Sequence, residues 1–97
     1  MENRYLAKLK ALVLNTLKDE RVKIVLFGSR ARGDNHPTSD VDIGLIPYED
    51  IDKKKIISLN EKIEDLNIPY KVEIVTFADV SESFKKEAMK GVIVWKD

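Results

Sequence analysis

Between Val25 and Leu45 the chain reads VLFGSRARGDNHPTSDVDIGL. An apolar run stops at Gly28-Ser29, ten residues intervene, and a second apolar run opens carrying two acids, Asp40 and Asp42. Two carboxylates inside what otherwise reads as a buried strand constrain the fold more than any other feature here. Residues two apart in a strand share a face. Asp40 and Asp42 therefore point one way, while Val41, Ile43 and Leu45 point the other way into a core. Gly44 continues the acidic face without a side chain and leaves room there for a close approach.

The flanking sequence supplies the rest of an alternating pattern. Tyr5, Leu6, Leu9, Leu12, Val13 and Leu17 recur at helical spacing, which predicts an amphipathic helix over 3–19. VKIVLFG at 22–28 predicts a short buried strand ended by glycine. SRARG predicts one or two helical turns closed by Gly33, and DNHPTS is turn chemistry. DVDIGLIP at 40–47 predicts a second strand ended by Pro47. Ile56, Leu59, Ile63 and Leu66 mark a helix over about 50–66, stopped by Asn67 and Pro69. YKVEIVTF at 70–77 predicts a third strand. Asp79 with Glu82 resembles a capping box for a helix over 80–90 ended by Gly91, and VIVW at 92–95 reads as a last edge strand. Helices alternating with a few strands give an α/β fold, a small mixed β-sheet with helices packed against it. The twelve positions from Ser29 to Asp40 allow either strand pairing.

Ninety-seven residues suit a single domain spanning 1–97 with one modest core. The 35% charged content predicts a heavily charged surface, and 17 basic residues cancel 17 acidic ones. No net positive field draws the chain to nucleic acid or to an anionic membrane. Without cysteine there are no disulfides and no thiolate metal sites. The N-terminal segment is interrupted by Arg4, Lys8 and Lys10 and is no signal peptide, and no apolar run approaches membrane-spanning length. The expected location is the cytoplasm, and the sequence leaves open whether the chain forms an oligomer.

The third strand repeats the anomaly of the second, because Glu73 sits among Val72, Ile74 and Val75. If these strands are neighbours, Glu73 completes a three-carboxylate cluster with Asp40 and Asp42. Like charges about 4 Å apart repel by roughly 4 kcal/mol at an effective dielectric of 20. One acid must then hold a proton, or a divalent ion must neutralise the group. Oxygen-only ligands favour Mg²⁺ or Mn²⁺ over zinc, and two such ions would clamp the oxygens of a phosphoryl-transfer reaction. The plainer alternative is a pair of turn-capping aspartates and a glutamate on a solvated sheet face.

Gly28 ends a strand and Ser29 opens a helical turn, a junction that offers backbone N–H groups to a phosphate. The Ser29 hydroxyl adds a donor, and Arg30 or Arg32 could contact the same phosphates as a planar fork. Taken singly, Ser29 reads as an N-cap and the arginines as a solvated face. The G-x-x-x-x-G-K-[ST] pattern of a P-loop is absent.

The combination, GS at 28–29 after an apolar strand and DVD at 40–42 opening the next, resembles the signature of the polymerase-beta-type nucleotidyltransferase superfamily. FGSRARGDNHPTSDVDIGL is similar above all to the minimal nucleotidyltransferase group, short domains found as partners of HEPN-domain proteins. The resemblance implies the nucleotidyltransferase fold and ATP bound with its phosphates at Gly28 and Ser29. It also implies Mg²⁺ held by Asp40 and Asp42, with Glu73 at the place of a third family acid, usually aspartate. Members of the group are antitoxins that move AMP from ATP to a tyrosine of the HEPN toxin. The implied partners are thus a nucleoside triphosphate and a HEPN protein, with no membrane and no strong nucleic-acid binding. The alternative is a binding module that neutralises its partner by complex formation, its site weak or unused.

Of the other residues, His36 is expected to face solvent in a turn. Lys53, Lys54 and Lys55 form a charged helix face, Trp95 packs on the core or an edge, and Tyr48 and Tyr70 carry no clear signal.

Overall fold

The computed structural model describes residues 4–33 and 40–97. Position 3 and the turn expected over 34–39, with His36, lie outside the described residues. The elements are α1 (Arg4–Thr16), β1 (Val22–Phe27), α2 (Ser29–Arg32), β2 (Val41–Pro47), α3 (Lys53–Leu66), β3 (Val72–Thr76), α4 (Glu82–Ala88) and β4 (Ile93–Lys96). A 3₁₀ turn at Phe77–Asp79 separates β3 from α4.

The strands form one sheet in the order β3-β2-β1-β4. β1 is antiparallel to both β2 and β4, and β2 is parallel to β3. The parallel pair is joined through α3, the long crossover that such a pairing requires. The sheet is mixed, as the pattern predicted, and β4 takes an edge.

Leu9, Val13 and Leu17 at the α1 end, with Leu59 and Ile63 of α3, form one apolar layer. It packs on Val22, Ile24 and Leu26 of β1 and on Val41, Ile43 and Leu45 of β2, all buried. This is the core that alternation in the second strand called for. Trp95 packs against it from β4. Asp52 starts α3 by accepting a 2.9 Å hydrogen bond from the Lys54 N–H, and Asn67 ends it in the left-handed region at φ 54°.

The opposite face is covered by aromatic rings. Val25 and Phe27 of β1 and Gly44 of β2 lie under Phe77, whose ring is 5.3 Å from that of Phe27. A Cβ on Gly44 would stand 2.8 Å from the Phe77 ring and 3.0 Å from Val25. The room left by Gly44 is thus filled by the protein's own Phe77. The fourth helix also differs from its expected start. Ser81, not Asp79, is its cap, and the Ser81 hydroxyl accepts from the Phe84 N–H at 3.2 Å. Asp79 is used in the 3₁₀ turn that drives Phe77 inward, and Val80 is extended, so the helix begins only at Glu82.

The edge strand is tied to α1 by one side chain. Lys96 Nζ donates to the carbonyls of Leu17 at 3.1 Å and Glu20 at 2.6 Å, just beyond the end of α1. Lys96→Met keeps the stem and removes the donors. It should lower stability by about 1–2 kcal/mol, seen as a lower urea midpoint with an unchanged slope.

Candidate active site

β2 and β3 run parallel with Asp42 paired to Glu73. Side chains paired in this register share a face, so the two carboxylates stand side by side on the face opposite α1 and α3. Asp40 lies two residues earlier, at the mouth of the same face, where the Val41 N–H bonds the Lys71 carbonyl at 2.9 Å. The Asp42 carboxyl is pushed above the ordinary aspartate range. Burial is the first cause, and the charges of Glu73 and then Asp40 add to it. Glu73 and Asp40 thus both act electrostatically on Asp42. The three sequence-predicted acids do not close on one point: no group of three His, Asp or Glu side chains shaped to hold a metal occurs among the described residues. Glu73 is about half exposed and leans on Lys71, with Lys71 Nζ 3.4 Å from its carboxylate.

Gly28 forms the other wall. Its backbone sits at φ 78°, ψ −158°, a region open essentially to glycine alone. A Cβ there would stand 2.5 Å from Asp42 Oδ2. The β1–α2 turn and the second acid therefore touch directly, across antiparallel strands that pair Phe27 with Asp42. Ser29 opens α2, a single turn closed by the Arg32 N–H on the Gly28 carbonyl and the Gly33 N–H on the Ser29 carbonyl. Gly33 ends it at φ 83°.

The arginines diverge. The Arg30 guanidinium lies 4.2 Å over the Tyr70 ring, and Tyr70 meets Tyr5 edge-on at 6.0 Å. Arg32 lines a cavity of about 230 Å³ with Phe27, Gly28, Phe84, Glu87 and Ala88. Reading the sequence alone gave Tyr70 no role, because its partner lies 40 positions away and nothing local marks the pair.

A glycine turn beside two strand acids, on the open face of a mixed sheet, suits the binding and polarisation of a phosphoryl donor. Residues 9–97 match the family described as Polymerase beta, Nucleotidyltransferase. The chain belongs to this nucleotidyltransferase family. It is 32% identical over 72 residues to a Methanocaldococcus jannaschii protein assigned as a protein adenylyltransferase, covering 74% of this chain and 72% of the relative. Its fold is similar to that in a crystal structure of a toxin–antitoxin with AMP-PNP, at TM-score 0.66 and 21% identity, covering 89% of this chain and 71% of that one. It is also similar to a chain of a tri-AMPylated Shewanella oneidensis HEPN toxin in complex with MNT antitoxin. There the TM-score is 0.62 and the identity 17%, over 92% of this chain and 70% of that one. The mixed four-stranded sheet flanked by helices is therefore the nucleotidyltransferase fold, and the chain is an enzyme domain of that class.

Proposed function

We propose that this nucleotidyltransferase moves AMP from ATP to a hydroxyl, tyrosine by preference, of a HEPN partner, and so acts as an antitoxin in the cytoplasm. The observation that carries the reading is the contact of Gly28 with Asp42, beside the Asp42–Glu73 pair. The adenylyltransferase relative and the nucleotide-bound and AMPylated toxin–antitoxin neighbours support the choice of nucleotide and acceptor.

In this reading the acceptor oxygen bonds to the α-phosphorus of ATP, the bond to the β-phosphate bridge breaks, and pyrophosphate leaves. The hydroxyl proton passes to a carboxylate of the site. Ser29 and the backbone at the start of α2 hold the phosphates, while Arg30 is turned to Tyr70 and Arg32 to the cavity by α4. Oxygen-only donors, with the ionisation of Asp42 already hindered by burial and by its acidic neighbours, fit a hard divalent cation. Asp40, Asp42 and Glu73 would hold Mg²⁺ or Mn²⁺. When bound, the ion offsets the charge of the phosphates and polarises the reacting group. Glu73 would have to leave Lys71 to take part. The hydroxyl comes from the partner chain in this reading.

The test is a mass measurement. The chain, ATP, Mg²⁺ and a co-purified HEPN partner are mixed and the partner is weighed. A gain of one or more AMP units that disappears with Asp42→Asn is the expected result. No gain, or an equal gain with the variant, removes the reading.

The exposed Glu73, paired with Lys71 and outside any preformed three-acid cage, favours one second reading: a binding module that neutralises by complex formation. It requires the Asp40→Asn/Asp42→Asn double variant to protect cells from the partner as well as the unaltered chain does.

A further inference from the structure

The cavity beside Gly28 has no part in the carboxylate chemistry, yet it shares a wall with it. Phe27 and Gly28 line it from the β1–α2 turn, Arg32 from α2, and Phe84, Glu87 and Ala88 from α4. The three α4 residues stand at i, i+3 and i+4, so one face of that helix is turned to the cavity. Phe84 is fixed there by edge-to-face contacts with Phe27, at 6.3 Å, and with Phe77, at 6.2 Å. It is nonetheless 43% exposed. An aromatic ring held in place on two sides and left open on a third is a rigid platform with free area.

The volume, about 230 Å³, falls below the roughly 300 Å³ at which pockets for whole drug-sized ligands begin. A flat ring fits better than a complete nucleotide. The rim carries charge of both signs, Arg32 and Glu87, the latter also bonded to Lys90 at 3.0 Å. Such a rim can meet donors and acceptors on a ring edge. Gly28 is the border residue, with Asp42 Oδ2 on one side and the cavity on the other. A ligand with phosphates at this turn has the cavity directly beside it.

We propose that this slot between α2 and α4 takes the base of the donor nucleotide, with Phe84 as its stacking platform. The inference rests on the nucleotidyl-transfer reading above and adds to it a specificity-determining surface outside the acids and the glycine turn. Stacking on an aromatic face serves any base, so Phe84 supplies affinity, and the rim residues Arg32 and Glu87 set preference.

Calorimetric titration with AMP-PNP and, separately, with inorganic tripolyphosphate, both with Mg²⁺, tests the proposal. Phe84→Ala should weaken AMP-PNP about tenfold and leave tripolyphosphate unchanged, and Phe84→Trp should restore AMP-PNP binding. Equal AMP-PNP affinity in Phe84→Ala overturns the proposal. So does a parallel loss of both ligands, which would make Phe84 a support for the phosphate turn. If the unaltered chain binds neither ligand, the nucleotidyl-transfer reading falls as well, an outcome separate from the first two.

Discussion

Gly28→Ala should destabilise the protein by about 3 kcal/mol and lower its melting temperature by roughly 15 °C. Two independent effects add. At φ 78°, ψ −158° the backbone is in a region where a Cβ costs about 1–3 kcal/mol. The new methyl would also stand 2.5 Å from Asp42 Oδ2, so the carboxylate must turn away. Asp42 has little freedom to do so without loss, since Phe27 and Glu73 flank it on the neighbouring strands. A double-mutant cycle separates the effects. In an Asp42→Ala background the collision is gone and only the backbone cost remains, so the glycine substitution should cost about 1 kcal/mol less there. Thermal unfolding of the four proteins checks this. Equal costs in both backgrounds would show that Gly28 and Asp42 do not press on each other.

That contact also marks the limit of what the sequence discloses. Alternation in DVDIGL placed Val41, Ile43 and Leu45 in the core and both aspartates on the other face, because strand geometry is local and rigid. The pairing of Asp42 with Glu73 was only conditional. It depends on which strand the α3 crossover returns beside, a matter of packing between Leu59, Ile63 and the core of β1 and β2. Gly28 was visible as a turn glycine, but the reason no other residue fits involves a side chain 14 positions away. Phe77 over Gly44 was missed for the same reason: an empty place on a strand does not say who fills it. Asp79 and Glu82 fit a capping box and place the start of the fourth helix early, whereas Ser81, with Phe84 three residues on, caps it with its hydroxyl alone. The burial of Phe77 decided between them, and no local rule contains that term. Arg30 and Arg32 looked equivalent in sequence, yet the single turn of α2 sends one to Tyr70 and the other to the cavity by α4.

Asp42→Asn should abolish nucleotidyl transfer, by about a thousandfold or more, while making the metal-free protein more stable. The sign follows from the raised carboxyl. Burial, then Glu73, then Asp40 make ionised Asp42 harder to hold in the folded state than in the unfolded chain. At neutral pH the charge is therefore a cost to folding. As pH falls through the raised folded-state value, the folded protein takes up the proton first and gains stability. The gain is complete once pH is below the unfolded value of about 3.9. Asparagine has no such charge, so the variant should melt above the unaltered chain at pH 7. That lead should shrink steadily as pH is lowered towards 4. Added Mg²⁺ should act the opposite way on the comparison. It should stabilise the unaltered chain, by offsetting the carboxylates, and leave Asp42→Asn nearly unmoved. Melting curves of the two proteins at pH 4 to 8, with and without Mg²⁺, measure all of this without a nucleotide or an acceptor. A variant that melts lower than the unaltered chain at pH 7 would mean that Asp42 is held by favourable partners, and that the acidic face is structural.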